Sequence, residues 1–307
     1  MVEAFDLRSF EQCFEQIPAL AGHPRTVETL PGGLTNLNLL VTTPHGRFVA
    51  RCFQSDPALL GIDRGAEHLN TRSAADAGVG APVVDFRPDL GILVIEFIDG
   101  LTYDNASFSA EGVIGRVALA CRQLHSGPRF VNRFDMFEQQ RNYARIIREQ
   151  GFALPTGYQE YDDRFRLVRT ALAVRDEGTV PCNNDLLAGN FVDDGDRLWL
   201  IDYEYSGNND ACFELGNITT ECDFDLDQLE ELVTTYYGRG LRNKIARTQL
   251  QALVSQYGWS LWGAIQAATS PLDFDFNGWF LERYEKAVIG FTGDNFNRLI
   301  QEVQCDD

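Results

Sequence analysis

The chain contains the segment Cys182-Asn183-Asn184-Asp185-Leu186-Leu187-Ala188-Gly189-Asn190-Phe191, followed after a short gap by Leu200-Ile201-Asp202-Tyr203-Glu204-Tyr205. The pattern predicts two short strands, 190–192 and 198–201, joined by an acidic turn. Asp185, Asn190 and Asp202 therefore lie around one hairpin. Asn-Asp pairs are common turn formers, so Asp185 and Asn190 alone indicate little. Asp202 has apolar neighbours, and we expect a buried carboxylate there to require a cation.

These three side chains are the parts that phosphoryl transfer requires. One carboxylate orients the attacking hydroxyl and accepts its proton, while an amide oxygen and a second carboxylate hold Mg²⁺ against the phosphate oxygens. The Asp-x-x-x-x-Asn spacing, with an Asp at the end of the next strand, matches the catalytic and metal-binding loops of kinases. We predict Asp185 as the catalytic base, and Asn190 and Asp202 as magnesium ligands.

The secondary structure that the sequence predicts changes near residue 98. Before it, apolar runs and turns predict a helix at 63–77 and four strands, at 38–43, 47–53, 83–86 and 90–97. After it, longer helical segments are predicted at 110–124, 136–150 and 163–176, and from about 225 to the end. The sequence therefore predicts an α+β chain whose first part is rich in sheet and whose second part is mostly helical.

A glycine-rich segment, residues 30–36, precedes the first of these predicted strands. Glycines at such a place let backbone amides approach a triphosphate, although a Gly-Gly pair is more often an ordinary turn. The lysine of a phosphate-binding loop is missing, because the two lysines of the chain are Lys244 and Lys286. Arg51 lies in a suitable strand to replace it, and Glu67 on the next helix could orient Arg51. The alternative is a surface arginine and a solvated glutamate.

Composition argues against several other classes of protein. A net charge of -19 disfavours nucleic-acid binding, which needs clustered basic residues. Seven cysteines without a Cys-x-x-Cys pair argue against a disulfide framework or a zinc knuckle. The longest apolar run is about half the ~20 residues of a membrane helix, so we expect no membrane insertion and a cytoplasmic protein.

Together these segments resemble the choline and ethanolamine kinase family, a branch of the aminoglycoside phosphotransferase-like kinases, over nearly the whole chain. The resemblance implies a two-lobed protein-kinase-like fold. Residues 1–97 would form a small nucleotide-binding lobe with an antiparallel sheet, and residues 98–307 a larger, mostly helical lobe that carries the catalytic and substrate residues. Residue 183 departs from the family, since Asn183 stands where a histidine usually braces the loop.

The resemblance also implies an ATP site. The segment Gly32-Gly33-Leu34-Thr35-Asn36 looks like the nucleotide loop of the family. Arg51 stands where these enzymes use arginine instead of the protein-kinase lysine. The residues implied to bind ATP are Gly33, Thr35, Asn36, Arg51 and Glu67, with Glu96 and Ile98 at the hinge beside adenine.

Aromatic residues near the C-terminus indicate the second substrate. Trp259 and Trp262 are three residues apart, hence on one helix face, and Trp279 follows. Aromatic faces attract quaternary ammonium groups, although tryptophans at this spacing are more often core. In the resembling family the matching positions form the choline cage, with Glu221 facing the ammonium group and Glu204 also on the substrate side.

We therefore expect an enzyme that phosphorylates the hydroxyl of choline with ATP and Mg²⁺. The nearest alternative is ethanolamine or another small amino alcohol, and an aminoglycoside or thiamine kinase is further off. A choline-binding pseudokinase is a third possibility, supported by Asn183 alone. The sequence leaves the oligomeric state open.

Overall fold

A computed structural model of the chain describes residues 7–53 and 57–306. The first part is built on a five-stranded antiparallel sheet in the order β1-β2-β3-β5-β4. The elements of this part are α1 Leu7–Phe14, β1 Thr26–Leu30, β2 Asn36–Thr43, β3 Gly46–Phe53, α2 Pro57–Leu60, α3 Arg64–Asp76, β4 Val83–Arg87 and β5 Ile92–Glu96. The central strand β3 places Arg51 opposite Asn38 on β2 and Leu93 on β5.

Alternation along β3 decides where Arg51 points. Ala50 and Cys52 are fully buried in an apolar cluster with Phe14 and Ile17 on one face of the sheet. Successive side chains of a strand point to opposite faces, so Arg51 points away from this cluster. There it meets α3, which begins after Asp63, whose carboxylate caps the helix by accepting from the Ala66 amide.

The second part is mostly helical. Its elements are β6 Leu101–Thr102, α4 Val113–His125, α5 Met136–Gln150, α6 Asp162–Val174, β7 Val180–Cys182, β8 Phe191–Asp193, β9 Leu198–Leu200, β10 Gly207–Asn209, α7 Ala211–Glu221, α8 Leu226–Tyr237, α9 Arg242–Thr269, α10 Phe276–Thr292 and α11 Phe296–Glu302. The 28-residue α9 packs against α5, α7 and α10. No helix within residues 7–53 and 57–306 combines the length and the apolar character that crossing a membrane would need.

Two small sheets support the catalytic segments. Strands β8 and β9 form the predicted antiparallel hairpin, and β6 adds to the edge of β8. Strand β7 pairs with β10. Asp185 follows β7 and Asp202 follows β9, so both acids lie where the chain leaves a buried strand.

The predicted fold class, α+β with a small antiparallel sheet followed by a helical part, is confirmed. One expectation was wrong: the glycine-rich segment does not precede the first strand, because it joins β1 to β2. Strand β1 was missed since it lies at the edge of the sheet and buries none of its residues fully, which leaves no apolar alternation. The sheet ends at Glu96, and the division into 1–97 and 98–307 stays a prediction.

Candidate active site

A cleft of about 810 Å³ lies between the sheet and the helical part. Every predicted site residue except Glu67 lines this cleft. Glu67 lies behind Arg51, at 3.3 Å from its guanidinium. The structure therefore brings together residues that are up to 246 positions apart, from Gly33 to Trp279.

Asp185 lies in a loop that Asn183 braces. The side-chain oxygen of Asn183 accepts from the Asp185 amide at 3.1 Å. Its side-chain nitrogen donates to the carbonyls of Ile201 at 3.1 Å and Asp202 at 2.8 Å. Asn183 thereby joins the loop of one acid to the segment of the other, so the departure from the family histidine still leaves a brace at this position.

Two buried residues of α7 fix the same loop, and the sequence had not assigned them a role. Glu214 accepts from the backbone amides of Asn183 at 2.8 Å and Asn184 at 2.6 Å, and Asn217 accepts from the Leu186 amide at 2.9 Å. Asn184 has a φ of 70°, in the left-handed region that asparagine tolerates better than most residues. The sequence signal that could have identified these two residues is a carboxylate and an amide within an otherwise apolar helix.

Asn190 and Asp202 present oxygen atoms to the cleft. The Asn190 amide nitrogen donates to the Asp185 carbonyl at 2.7 Å, which leaves its side-chain oxygen as the free end. Asp202 was expected to be buried, but its side chain is 25% exposed. The reason is local, since the chain turns with a φ of 65° at Asp202 and directs the carboxylate into the cleft. An amide oxygen and a carboxylate are hard donors that suit Mg²⁺.

The charge around Asp185 affects its proton affinity. Burial raises the pKa of Asp185 well above its ordinary value, and the carboxylates of Glu221, Asp202 and Glu204 raise it further. Arg283 acts in the opposite direction. A carboxyl group with a raised pKa is a stronger base, as acceptance of a hydroxyl proton requires.

Arg51 belongs to a buried network of two arginines and three acids. Its guanidinium donates to Asp202 at 2.6 Å and lies 3.3 Å from Glu67. Arg64, which the sequence had not singled out, lies 2.8 Å from Glu67 and 3.2 Å from Glu204. Burial disfavours the Arg51 cation, but Asp202 and Glu67 outweigh this effect and raise the pKa of Arg51. The predicted contact between Arg51 and Glu67 is present in the structure.

The loop between β1 and β2 is attached to the helical part through Glu204. The Thr35 hydroxyl donates to one oxygen of Glu204 at 2.6 Å, and the Asn36 amide donates to the other at 2.9 Å. A Cβ at Gly33 would overlap the Asn36 carbonyl oxygen, so the turn needs glycine there. The oxygens of Glu204, predicted to face substrate, are bonded by this loop and by Arg64; its substrate role stays a prediction.

Apolar residues surround the predicted hinge. Glu96 ends β5, and Ile98 follows two residues later. Val49, Ala81 and Ile95 line the cleft beside them. The chemistry of this end suits a flat, weakly polar ring.

The three tryptophans line the cleft from helices α9 and α10. Trp262 and Trp279 have ring centroids 5.2 Å apart at 57°, and Trp259 meets Tyr205 edge to face at 4.8 Å. Trp262 donates to the Tyr205 hydroxyl at 2.7 Å. Gly263 lets α10 approach α9, because a Cβ there would lie 2.7 Å from the Trp279 ring. The buried indole N–H of Trp259 has no acceptor among the described residues.

Glu221 lines the same cleft but already has a cationic partner. Its carboxylate is bound by the guanidinium of Arg283, through Nη2 and through Nε at 3.3 Å. The Arg283 guanidinium also stacks on Trp279, 3.3 Å from the ring centroid. The sequence had not singled out Arg283, although it lies four residues after Trp279 on the same helix.

The small antiparallel sheet, the helical part and the set of Asp185, Asn190 and Asp202 around one hairpin define a protein-kinase-like phosphotransferase fold. Residues 27–234 match the choline/ethanolamine kinase family. This match covers more than half of the chain, and the chain belongs to that family. The enzyme class predicted from the sequence, an ATP-dependent phosphotransferase with an alcohol acceptor, is the class of this family.

Individual relatives agree with this assignment. A solved choline/ethanolamine kinase family protein from Mesorhizobium loti is 32% identical, with a TM-score of 0.85 over 97% of this chain and 98% of that chain. The choline kinase LicA from Streptococcus pneumoniae is 26% identical, with a TM-score of 0.80 over 92% and 99%. A probable ethanolamine kinase of Arabidopsis thaliana is 24% identical over 85% of this chain and 78% of that protein. Protein LicA of Haemophilus influenzae is 27% identical over 72% of this chain, a match that spans 65% of that protein.

Proposed function

We propose that the protein transfers the γ-phosphoryl group of ATP to the hydroxyl of choline. One observation carries this proposal: the same cleft holds the set of Asp185, Asn190 and Asp202 together with three tryptophans. Among the described residues that line it, the basic ones are Arg51 and Arg283, and both are bound to acids. The arrangement supports a nucleotide at the sheet end and a cationic alcohol at the tryptophan end. Residues 1–97 would form the nucleotide-binding lobe, and residues 98–307 the catalytic lobe.

In the proposed reaction the choline oxygen forms a bond to the γ-phosphorus. The bond from this phosphorus to the β–γ bridging oxygen breaks, and ADP leaves. Asp185 orients the hydroxyl and accepts its proton. Asn190 and Asp202 would hold Mg²⁺, which when bound neutralises charge on the phosphate oxygens. Arg51, held by Asp202 and Glu67, supplies a fixed cation at the nucleotide end.

The aromatic end of the cleft favours choline as the acceptor. A quaternary ammonium gains about 0.5 to 2 kcal/mol per aromatic face when it loses water, and it needs no hydrogen-bond acceptor. A primary ammonium needs acceptors for three N–H groups. Ethanolamine is the second candidate, because the Glu221 carboxylate lines the same cleft and would suit a primary ammonium if Arg283 released it.

The experiment identifies the product by mass spectrometry. The purified protein is incubated with ATP and Mg²⁺ and with either choline or ethanolamine at equal concentration. We expect phosphocholine to form with the higher kcat/KM. Formation of phosphoethanolamine with the higher kcat/KM contradicts the choline assignment, and no phosphorylated product with either alcohol contradicts the enzyme assignment.

A further inference from the structure

Arg283 occupies the position beside Glu221 and Trp279 that the ammonium group of a substrate alcohol would otherwise take. Its guanidinium covers one face of Trp279 and binds Glu221 through two of its nitrogens. The side chains of Glu221 and Arg283 are only 5% and 14% exposed. Among the described residues that line the cleft, the cationic ones are Arg51 and Arg283, and each is bound to an acid.

A quaternary ammonium is a weak competitor for this position. It has no N–H group, so it cannot replace the two charge-assisted hydrogen bonds that Arg283 makes to Glu221. The guanidinium also gains from stacking on the indole, and its planar fork matches a carboxylate. The ion pair therefore stays closed when choline binds, and choline uses the aromatic surfaces that Arg283 leaves free.

The closed pair affects a primary ammonium more strongly. Such a group is compact and strongly hydrated, and it needs a carboxylate to offset the loss of its water. Arg283 already neutralises the Glu221 carboxylate and occupies both of its oxygens. The carboxylate that ethanolamine would need, that of Glu221, is therefore already neutralised by Arg283. Choline requires mainly aromatic surface.

On the basis of the proposed function, we propose that Arg283 determines acceptor specificity by withholding Glu221 from the substrate, so that the pocket selects quaternary over primary ammonium alcohols. This role concerns the choice of acceptor and is separate from the phosphoryl transfer itself. The quantity that reports it is the ratio of kcat/KM for choline to kcat/KM for ethanolamine. A purely structural role of Arg283 would lower both constants and leave their ratio unchanged.

The test compares wild type with Arg283→Gln, which keeps an N–H donor on a shorter side chain and removes the charge. We expect the choline-to-ethanolamine ratio to fall about tenfold, the factor that corresponds to a newly available charged hydrogen bond. The double variant Arg283→Gln with Glu221→Gln should return the ratio toward the wild-type value, because the released carboxylate is then absent. Lys286→Gln, which removes a positive charge from the same helix outside the cleft, is the matched control and should leave the ratio unchanged.

An unchanged ratio in Arg283→Gln, or a shift that persists in the double variant, overturns the proposal. If Arg283→Gln does not fold, Arg283→Lys serves instead, since a single ammonium covers only one Glu221 oxygen; it should lower the ratio by about threefold, and an unchanged ratio overturns the proposal. The same ratio is measured as dissociation constants by calorimetry without ATP. Absence of turnover would contradict the proposed function, but the dissociation constants would still test the role of Arg283.

Discussion

A single amide side chain, that of Asn183, connects the two acids of the proposed mechanism. It is fully buried and contacts the backbone of Asp185 on one side and the carbonyls of Ile201 and Asp202 on the other. Neither acid bonds to the other directly, so their spacing depends on the backbone segments that carry them. Asn183 is therefore a positioning residue, and it offers a role for the amide where the family usually has histidine.

We predict that Asn183→Ala lowers kcat for choline at least ~10-fold with a small change in KM. The variant loses three hydrogen bonds, each worth about 0.5 to 1.5 kcal/mol, and the geometry around both acids loosens. Steady-state kinetics measure the effect, and the free energy of unfolding should fall by about 1 to 3 kcal/mol.

Asn142→Ala, on the exposed face of α5, is the control and should match wild type in both measurements. If Asn183→Ala lost stability but kept its kcat, the amide would hold only the fold, and the positioning role would be wrong.

At the scale of elements, the loop between β1 and β2 depends on Glu204 of the helical part. Thr35 and Asn36 each donate to one oxygen of Glu204, and Arg64 of α3 contacts the same carboxylate. These bonds cross from the sheet to the segment that follows Asp202. Protonation of Glu204 would therefore change the hydrogen bonds that attach the proposed nucleotide loop to the helical part.

The pH dependence of stability tests this attachment. Burial, followed by the charge of Asp202, raises the pKa of Glu204 from 4.5 to about 7. The folded protein therefore keeps a proton at Glu204 that the unfolded chain has released above pH 4.5, and the stability that this proton contributes is lost as the pH rises toward 7. Glu204→Gln cannot titrate. The free energy of unfolding of wild type minus that of Glu204→Gln should fall by roughly 1 to 3 kcal/mol between pH 5 and 7 and stay level above it.

Denaturant titrations at several pH values give this difference. A difference that is level from pH 5 to 8, or that rises, would mean that Glu204 is charged throughout this range and that its pKa is not raised.

At the scale of the whole molecule, the sequence predicted the elements that are marked by apolar runs around turns or by helical composition. The β2–β3 and β8–β9 hairpins and helices α3 and α5 are present within a few residues of their predicted bounds. Local composition decides these elements: the hairpin strands and α5 bury apolar side chains, whereas α3 has helical composition and buries Glu67, Asn70 and Thr71 beside two alanines. The edge strand β1 buries none of its residues fully and was missed.

The predicted site residues came from short motifs, and the cleft brings them together. The sequence could not show which partners they would find. Arg64 and Arg283 contact site residues through pairs that are distant in sequence or lie on neighbouring helix turns, and isolated charged residues resemble ordinary surface positions. Asp202 was predicted to be buried because its neighbours are apolar, but its backbone conformation, which composition does not reveal, directs it into the cleft.

The central claim is that this cleft transfers phosphate from ATP to choline with Asp185 as the base. The most direct measurement is choline-dependent ADP release by wild type, Asp185→Asn and the exposed control Asp163→Asn. We predict ADP release by wild type and by the control. In Asp185→Asn, whose amide cannot accept the proton, kcat should fall at least ~100-fold while the thermal unfolding temperature stays near that of wild type. Choline-dependent ADP release by a folded Asp185→Asn at the wild-type rate would contradict the account.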